Sequence, residues 1–506
     1  MSSKILSAAV IGLDAEIVEV EADTGGGELG SFSVVGLPDM AVSESRERVR
    51  SAIKNSGLEF PKIKVTVNLA PADLKKHGPS YDLPIAISIL VATKRLGQIE
   101  SLNDSLFVGE LALNGELRPI NGTLPIAIKA EKMGIKNIYL PEKNCNEAKL
   151  VKNLTVYPVK TLKQLVLHLI DEEKIAPAPD SEISFTNLKI LNDMAHIRGQ
   201  EQVKRAMIIA AAGGHNMAMS GPPGSGKTLI ARTMPSILPN LTLEEALEVT
   251  KIYSVSGLLN SSDTLVTSRP FRAPHHSASA VAMVGGGAWP KPGEISLAHR
   301  GVLFLDEFPE FPRSVLENLR QPLEDGMVHV SRVAGNLKFP AKFILVSAMN
   351  PCPCGFHGDK EKNCVCSVSQ ISNYKKKISG PILDRIDLHV EVPRVKFEKL
   401  ADDTAAESSE KIKVKVEKAR KIQADRFQNT PFITNSEMNS ETVKKFCQIC
   451  DESKELLKNA VDRLHLSARA YFRVLKLART IADLDEVENI SYNHVAEALQ
   501  YRPKVE

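Results

Sequence analysis

The sequence predicts a mixed α/β protein: a P-loop core on a parallel sheet, preceded by a second α/β domain and followed by an all-α region. Three observations carry this expectation. The stretch GPPGSGKT, residues 221–228, fits the pattern G-x-x-x-x-G-K-[ST] at every fixed position. Strand-like apolar runs at 217–219, 302–305, 343–347 and 388–392 alternate with helical stretches, as in a parallel sheet covered by helices. Beyond residue 395 such runs cease, and charged, helix-like segments take over.

A chain of 506 residues has material for about three domains. Its 43% apolar and 25% charged content are those of a soluble globular protein. A net charge of +3 means that any nucleic-acid contact must be a local basic surface. The first residues form too short and interrupted an apolar run for a signal peptide, and no run spans a membrane. Seven cysteines, four of them bunched, fit a reducing cytoplasm better than a disulfide framework.

In order, residues 1–170 read as an α/β domain. Residues 16–21 and 62–69 alternate as half-buried strands, and 24–27 with Gly30 mark a turn. Residues 43–53 read as a helix, whereas 83–92 is an apolar helix or a buried strand. The stretches KHGPSYDLP, 76–84, and FVGELALNGELRPINGTLPIAIKAEKMGIKNIYLPEKN, 107–144, resemble the proteolytic domain of Lon-type proteases. The resemblance implies a Lon-like fold. In that family the serine of the GPS triplet is the nucleophile, and a downstream lysine activates it. Ser80 occupies the triplet, but Leu124 stands where the lysine belongs. A serine hydroxyl without an adjacent base is a poor nucleophile, so the residues argue against proteolysis. Ser80 then reads as a turn residue after Pro79. Residues 171–186, DEEKIAPAPDSEISFT, read as a linker.

Residues 187–394 read as the nucleotide-binding core. In the loop Gly221, Pro222, Pro223, Gly224, Ser225, Gly226, Lys227 and Thr228, glycines let the backbone approach phosphates, and the following helix points its N–H groups at the anion. Lys227 is expected to reach the β/γ-phosphates of ATP, and the Thr228 hydroxyl to ligate Mg²⁺. GVLFLDE, 301–307, is a strand ending in two carboxylates: Asp306 to hold Mg²⁺ and Glu307 to polarise the attacking water. FILVSAMN, 343–350, puts the Asn350 amide at a third strand end, where it can orient that water. In GPILDRID, 380–387, Arg385 ends a helix before the next strand. In ring-forming AAA+ ATPases such an arginine enters the neighbouring subunit's site and stabilises charge on the phosphoryl group. The plainer reading is a surface pair with Asp384 or Asp387.

Residues 395–506 read as a helical lid or C-terminal domain. Helices are expected over 410–426, 440–450, 452–464, 468–484 and 493–500, with Asn435 and Ser491 as N-caps. Arg469, near the start of the 468–484 helix, is the candidate for a γ-phosphate contact, and Arg473 is the alternative.

The order DMAHIRGQEQVKRAMIIAAAGGHNMAMSGPPGSGKT, RPFRAPHHSAS, GEISLAHRGVLFLDEFPEF, LRQPLEDG and MNPCPCG with GPILDRIDLHVEVP resembles the ComM/YifB family, the magnesium chelatase-like AAA+ proteins. The resemblance implies a hexameric ring and an ATP-driven helicase that branch-migrates DNA during natural transformation. The rival is an AAA+ remodeller of a protein partner, similar to the magnesium chelatase ATPase subunit. That subunit lacks a Lon-like domain and the cysteine cluster.

The cluster, Cys352, Cys354, Cys364 and Cys366, lies in an insertion at 352–366. Two C-x-C pairs flanking a polar loop can close tetrahedrally on zinc, and a redox switch is the other reading. Cys447 and Cys450 fall on an expected helix and read as packing residues, and Cys145 reads as an ordinary side chain. For DNA, GGGAWPKPG, 285–293, reads as a flexible loop that offers Trp289 for stacking beside Lys291. VHVSRVAGNLKFP, 328–340, reads as a hairpin with Arg332 and Lys338 beside its turn, and 375–377 is a further basic run. His275 and His276 read as a capped loop near the nucleotide rather than a metal site, because adjacent histidines seldom converge on one ion.

Overall fold

A computed structural model describes residues 2–25, 30–37, 39–96, 100–179, 192–259, 264–287, 289–332, 335–359, 361–395, 407–464 and 466–503. Part of the expected turn at 24–30 and part of the linker, 180–186, lie outside them. Packing divides the chain into two units: Met1–Phe185 with Ala246–Val266, and Thr186–Glu245 with Thr267–Glu506.

The first unit is built on a seven-stranded mixed sheet. Its centre is an antiparallel pair, Ser2–Ile11 with Asp14–Gly25. Gly12 turns the chain between them at φ 63°, a left-handed conformation that glycine adopts without steric cost. The ambiguous run at 83–92 is a helix, Asp82–Ala92, buried almost all round. A fully covered helix shows no polar face, which is why periodicity could not identify it. Its first-turn carboxylate, Asp82, accepts from Leu111 N at 3.2 Å and pairs with Arg48 at 2.7 Å. Ser80 lies in the 3₁₀ turn Pro79–Tyr81 that leads into this helix. Leu124 is fully buried in the apolar core.

Residues 246–266 pack in this first unit, although in sequence they fall within the nucleotide-binding stretch. The reason is local chemistry. Ser254 Oγ donates to the buried Glu147 carboxylate, which also accepts from Leu124 N at 2.6 Å. Gly122 N donates to Ser254 O at 3.1 Å. Gly257 sits so close to the Asn121 amide that a Cβ would lie 2.9 Å from it.

The second unit carries a five-stranded sheet in the order Phe271–Arg272, Val302–Leu305, Ile344–Met349, Met217–Ser220, Leu388–Glu391. Every pairing is parallel. Its apolar core is continuous with helices Ser409–Arg426, Ala468–Leu484 and Tyr492–Gln500, which contribute Val416, Leu477 and Val495 among others. The first strand in sequence, Met217–Ser220, lies between the fourth and fifth. Strand order therefore reverses beside it, which is where ligands gather in open α/β sheets.

Three local expectations fail. Cys447 and Cys450 are not helical, because the helix Ser440–Phe446 stops one residue before Cys447. Cys447 is buried and Cys450 exposed. Asn435 caps no α-helix. It opens a 3₁₀ turn, where its buried amide donates to Asp483 Oδ2 at 2.8 Å, and Asn439 caps the following helix instead. Ser491 does cap Tyr492–Gln500, reciprocated by His494. The glycine stretch at 285–293 is a short ribbon, with Gly285 opposite Pro292 and Gly286 opposite Lys291. A Cβ on Gly285 would lie 2.3 Å from Lys291 O, so the glycines serve close backbone pairing here rather than freedom.

Candidate nucleotide site

The site follows from strand register. Ser220 pairs with Met349, so the next residues on each strand, Gly221 and Asn350, emerge side by side. Leu305 pairs with Ser347, which brings Asp306 to the same edge. Gly221 N donates to Met349 O at 3.2 Å. A Cβ on Gly221 would lie 2.2 Å from Val392 O, so only glycine fits between these strands. Gly224 and Gly226 take φ 76° and 86°, turning successive N–H groups around the loop before the helix Lys227–Ile237.

Lys227 is largely buried. Its ammonium donates to Gly221 O at 2.7 Å, Pro222 O at 2.9 Å and Asn350 Oδ1 at 3.3 Å. Burial lowers its pKa, and Asp306 partly offsets this. Thr228 Oγ1 donates to Asp306 Oδ2 at 2.7 Å. Neighbouring ligands of an octahedral Mg²⁺ stand about 3 Å apart, so this hydroxyl–carboxylate pair fits one hard cation. Glu307, at φ 52°, turns out of the strand, and its Oε2 meets His276 Nδ1 at 3.0 Å.

Beside the loop is a cleft of about 480 Å³ lined by His196, Ile197, Gln200, Leu229, Glu361 and Arg394, together with Pro223–Gly226. Apolar and polar groups together suit a heterocycle and its sugar. None of these lining residues outside the loop was singled out from sequence, and neither was the His276–Glu307 pair. They come from separated segments with no shared periodicity, and only the HIRGQ stretch preceding a helix offered a signal.

The two candidate arginines stand differently. Arg385 is buried. Its guanidinium donates to Arg320 O at 3.1 Å, to Pro381 O at 2.7 Å and to the Glu324 carboxylate. Its carboxylate partner is thus Glu324 rather than the expected Asp384 or Asp387. Arg469 is exposed and lies 3.5 Å from the other oxygen of Glu324. Arg385 holds the Glu324 carboxyl below its ordinary range, although burial opposes this. Arg473 pairs at 2.8 Å with Asp387, which also meets the buried His215 at 3.3 Å. Burial disfavours the Asp387 charge, but Arg473 and His215 outweigh it and hold the carboxyl well below its usual range.

The expected hairpin forms as Met327–Arg332 against Gly335–Pro340, with its turn residues and the Arg332 side chain outside the described set. Lys338 is exposed on it, opposite His329. In the ribbon, Trp289 is half-buried and Lys291 exposed. Of the basic run, Lys377 binds Glu310 at 2.8 Å. Cys352, Cys354, Cys364 and Cys366 converge just after Asn350. Among the described residues, no helix is long and apolar enough to cross a membrane.

The family model described as magnesium chelatase, subunit ChlI matches residues 193–400. Models for subunit ChlI of Mg-chelatase and for its C-terminal region match 18–144 and 406–502. The chain is 44% identical to competence protein ComM of Haemophilus influenzae over 99% of its own length and 97% of that protein. It is 43% identical to the protein YifB of Escherichia coli, over 98% of this chain and 96% of the other. Over 35% of the chain it is 24% identical to 22% of a Lon protease from Trichlorobacter lovleyi. The core is thus a magnesium chelatase-like AAA+ ATPase domain, a class that uses ATP and Mg²⁺, and the N-terminal region has Lon-like homology.

Proposed function

We propose, from the premise that this chain belongs to the ComM/YifB family of magnesium chelatase-like AAA+ proteins, that it is an ATP-driven DNA translocase. It works as a cytoplasmic homohexamer that promotes branch migration in recombination and natural transformation. The observation that carries this reading is likeness to a competence protein over the full chain, combined with a hydrolysis-type strand edge at Lys227, Asp306 and Asn350.

The residues divide the work. Residues 221–228 wrap the phosphates, and Lys227 exchanges its carbonyl partners for β/γ-oxygens. Thr228 and Asp306 would hold Mg²⁺, which would supply charge neutralisation at the phosphates. Glu307, released from His276, polarises the attacking water, and Asn350 orients it. The cleft at His196–Gln200 takes the base. Arg385 leaves Glu324 to enter the neighbour's site, and Arg469 reads the γ-phosphate. Trp289, Lys291, Arg332 and Lys338 face DNA in the pore. The working division is a proteolytically silent Lon-like domain at 1–170, a linker at 171–186, the ATPase core at 187–394 and a helical region at 395–506.

The chelatase family matches favour a second reading, a remodeller of a protein partner. ATP turnover with and without four-way or forked DNA separates the two. Stimulation by branched DNA is expected, and turnover indifferent to DNA would favour the remodeller. Trp289→Ala with Arg332→Ala should lose unwinding while keeping basal turnover, and unimpaired unwinding removes the pore assignment.

A further inference from the structure

We propose that Cys352, Cys354, Cys364 and Cys366 bind one Zn²⁺ ion, and that this ion anchors one wall of the nucleotide cleft. All four sulfurs lie within 4.8 Å of one another. Three form a nearly equilateral triangle: Cys352–Cys354 3.4 Å, Cys354–Cys364 3.6 Å and Cys352–Cys364 3.7 Å. Tetrahedral zinc with Zn–S arms of about 2.3 Å sets its sulfurs about 3.8 Å apart. The triangle is therefore one face of such a site, with Cys366 at the fourth corner. The same spacing is far longer than a disulfide's S–S bond of about 2.05 Å.

The surroundings suit a thiolate centre. Cys354 N donates to Cys366 Sγ at 3.4 Å, and His357 N to Cys352 Sγ at 3.3 Å. Such N–H···S bonds offset the excess negative charge of four thiolates on a divalent ion. Only Cys352 is fully buried, so burial alone does not account for the convergence. Four soft sulfur ligands in a tetrahedron select zinc or iron over the hard cations.

What the knot holds is the rim of the ATP cleft. The segment between the two cysteine pairs contributes Glu361 to that rim, and Arg394 faces it. Arg394 pairs with Asp359 at 3.0 Å and with Glu361 at 3.6 Å. Its guanidinium also stacks on Phe356, 5.5 Å from the ring centre. Gly355 lies so close to Pro223 of the phosphate loop that a Cβ would sit 2.5 Å from the proline ring. Removing the ion frees this segment, and with it the wall facing the nucleotide. This second half rests on the ATP-site reading, whereas metal content does not.

The test uses the full-length chain. Metal analysis of the purified protein should give about one zinc per chain, and Cys364→Ser with Cys366→Ser under about 0.1. Cys145→Ser, a buried thiol elsewhere, should retain the zinc and controls for nonspecific loss. Refilling stripped protein with Co²⁺ should give the visible spectrum of a tetrahedral tetrathiolate. Under about 0.2 zinc per chain, or iron in its place, overturns the site. A non-hydrolysable ATP analogue should bind stripped protein about tenfold more weakly, with recovery on adding Zn²⁺. Equal affinity with zinc present and removed overturns the coupling and leaves the metal site standing. Weak binding in both states would count against the ATP-site reading itself.

Discussion

The two sides of the candidate site are held by different forces. On the phosphate side, Lys227, Thr228, Asp306 and Asn350 meet within one strand edge, joined by contacts of 2.7 to 3.3 Å. Parallel ladders set that edge, and the side chains need only short reaches. On the arginine side, Arg385 and Arg469 both turn to a single carboxylate, Glu324. Arg385 is also tied to two backbone carbonyls, whereas Arg469 has the weak pairing usual of an exposed partner. The contacts on the phosphate side all lie within one chain. The arginine side is held by this chain's own contacts, and the catalytic role proposed for Arg385 requires giving them up.

Substitutions can break this contrast, and the largest effect should fall on the arginine side. Arg385→Ala should lower kcat by about 10³-fold with nucleotide binding retained. A drop in thermal stability, copied by Glu324→Ala and without a separate catalytic loss, would reassign Arg385 to the fold. Glu307→Gln should lower kcat by about 10²-fold while ATP stays bound, as measured by turnover and analogue binding. Equal losses of affinity and turnover would move Glu307 into ground-state binding.

The buried Asp387, paired with Arg473 and His215, gives a purely structural reference for the arginine side. Asp387→Asn should cost about 3 kcal/mol at pH 7, because Arg473 and His215 then face a neutral amide. The carboxyl's pKa is lowered in the fold, so its stabilisation is present above the unfolded value of about 3.9 and lost as pH falls towards the folded value. Denaturant titrations should show the difference between wild type and variant shrinking below about pH 4. A pH-independent gap would mean that packing, not charge, is at stake. The smallest effect belongs to His276→Ala. Freeing Glu307 from a 3.0 Å contact should change kcat by about fivefold and leave analogue affinity unaltered. A changed affinity instead would place His276 against the nucleotide.

How much was legible in sequence follows the same division. The loop at 221–228 and the strand ends at Asp306 and Asn350 could be read because each depends on local backbone pattern: an apolar run, a glycine turn, a polar terminus. Helix 468–484 emerged with its bounds intact because one face is apolar and Ser467 caps it. The helix at 82–92 was ambiguous because its apolar run from Leu83 onward is covered on nearly every side. Asn435 was mistaken for a cap because a buried amide bound to Asp483 has the same local sequence as an exposed one.

The loop at 221–228, the carboxylate and amide at the strand ends, and the two C-x-C pairs were readable in advance, since these are set by neighbours along the chain. Folding alone joins His276 to Glu307, gathers two arginines at Glu324 and packs residues 246–266 in the first unit. It alone brought the four sulfurs within 4.8 Å of one another beside the phosphate loop. Such partners are far apart in sequence, and side-chain chemistry joins them only after strand register and core packing have fixed where each backbone runs.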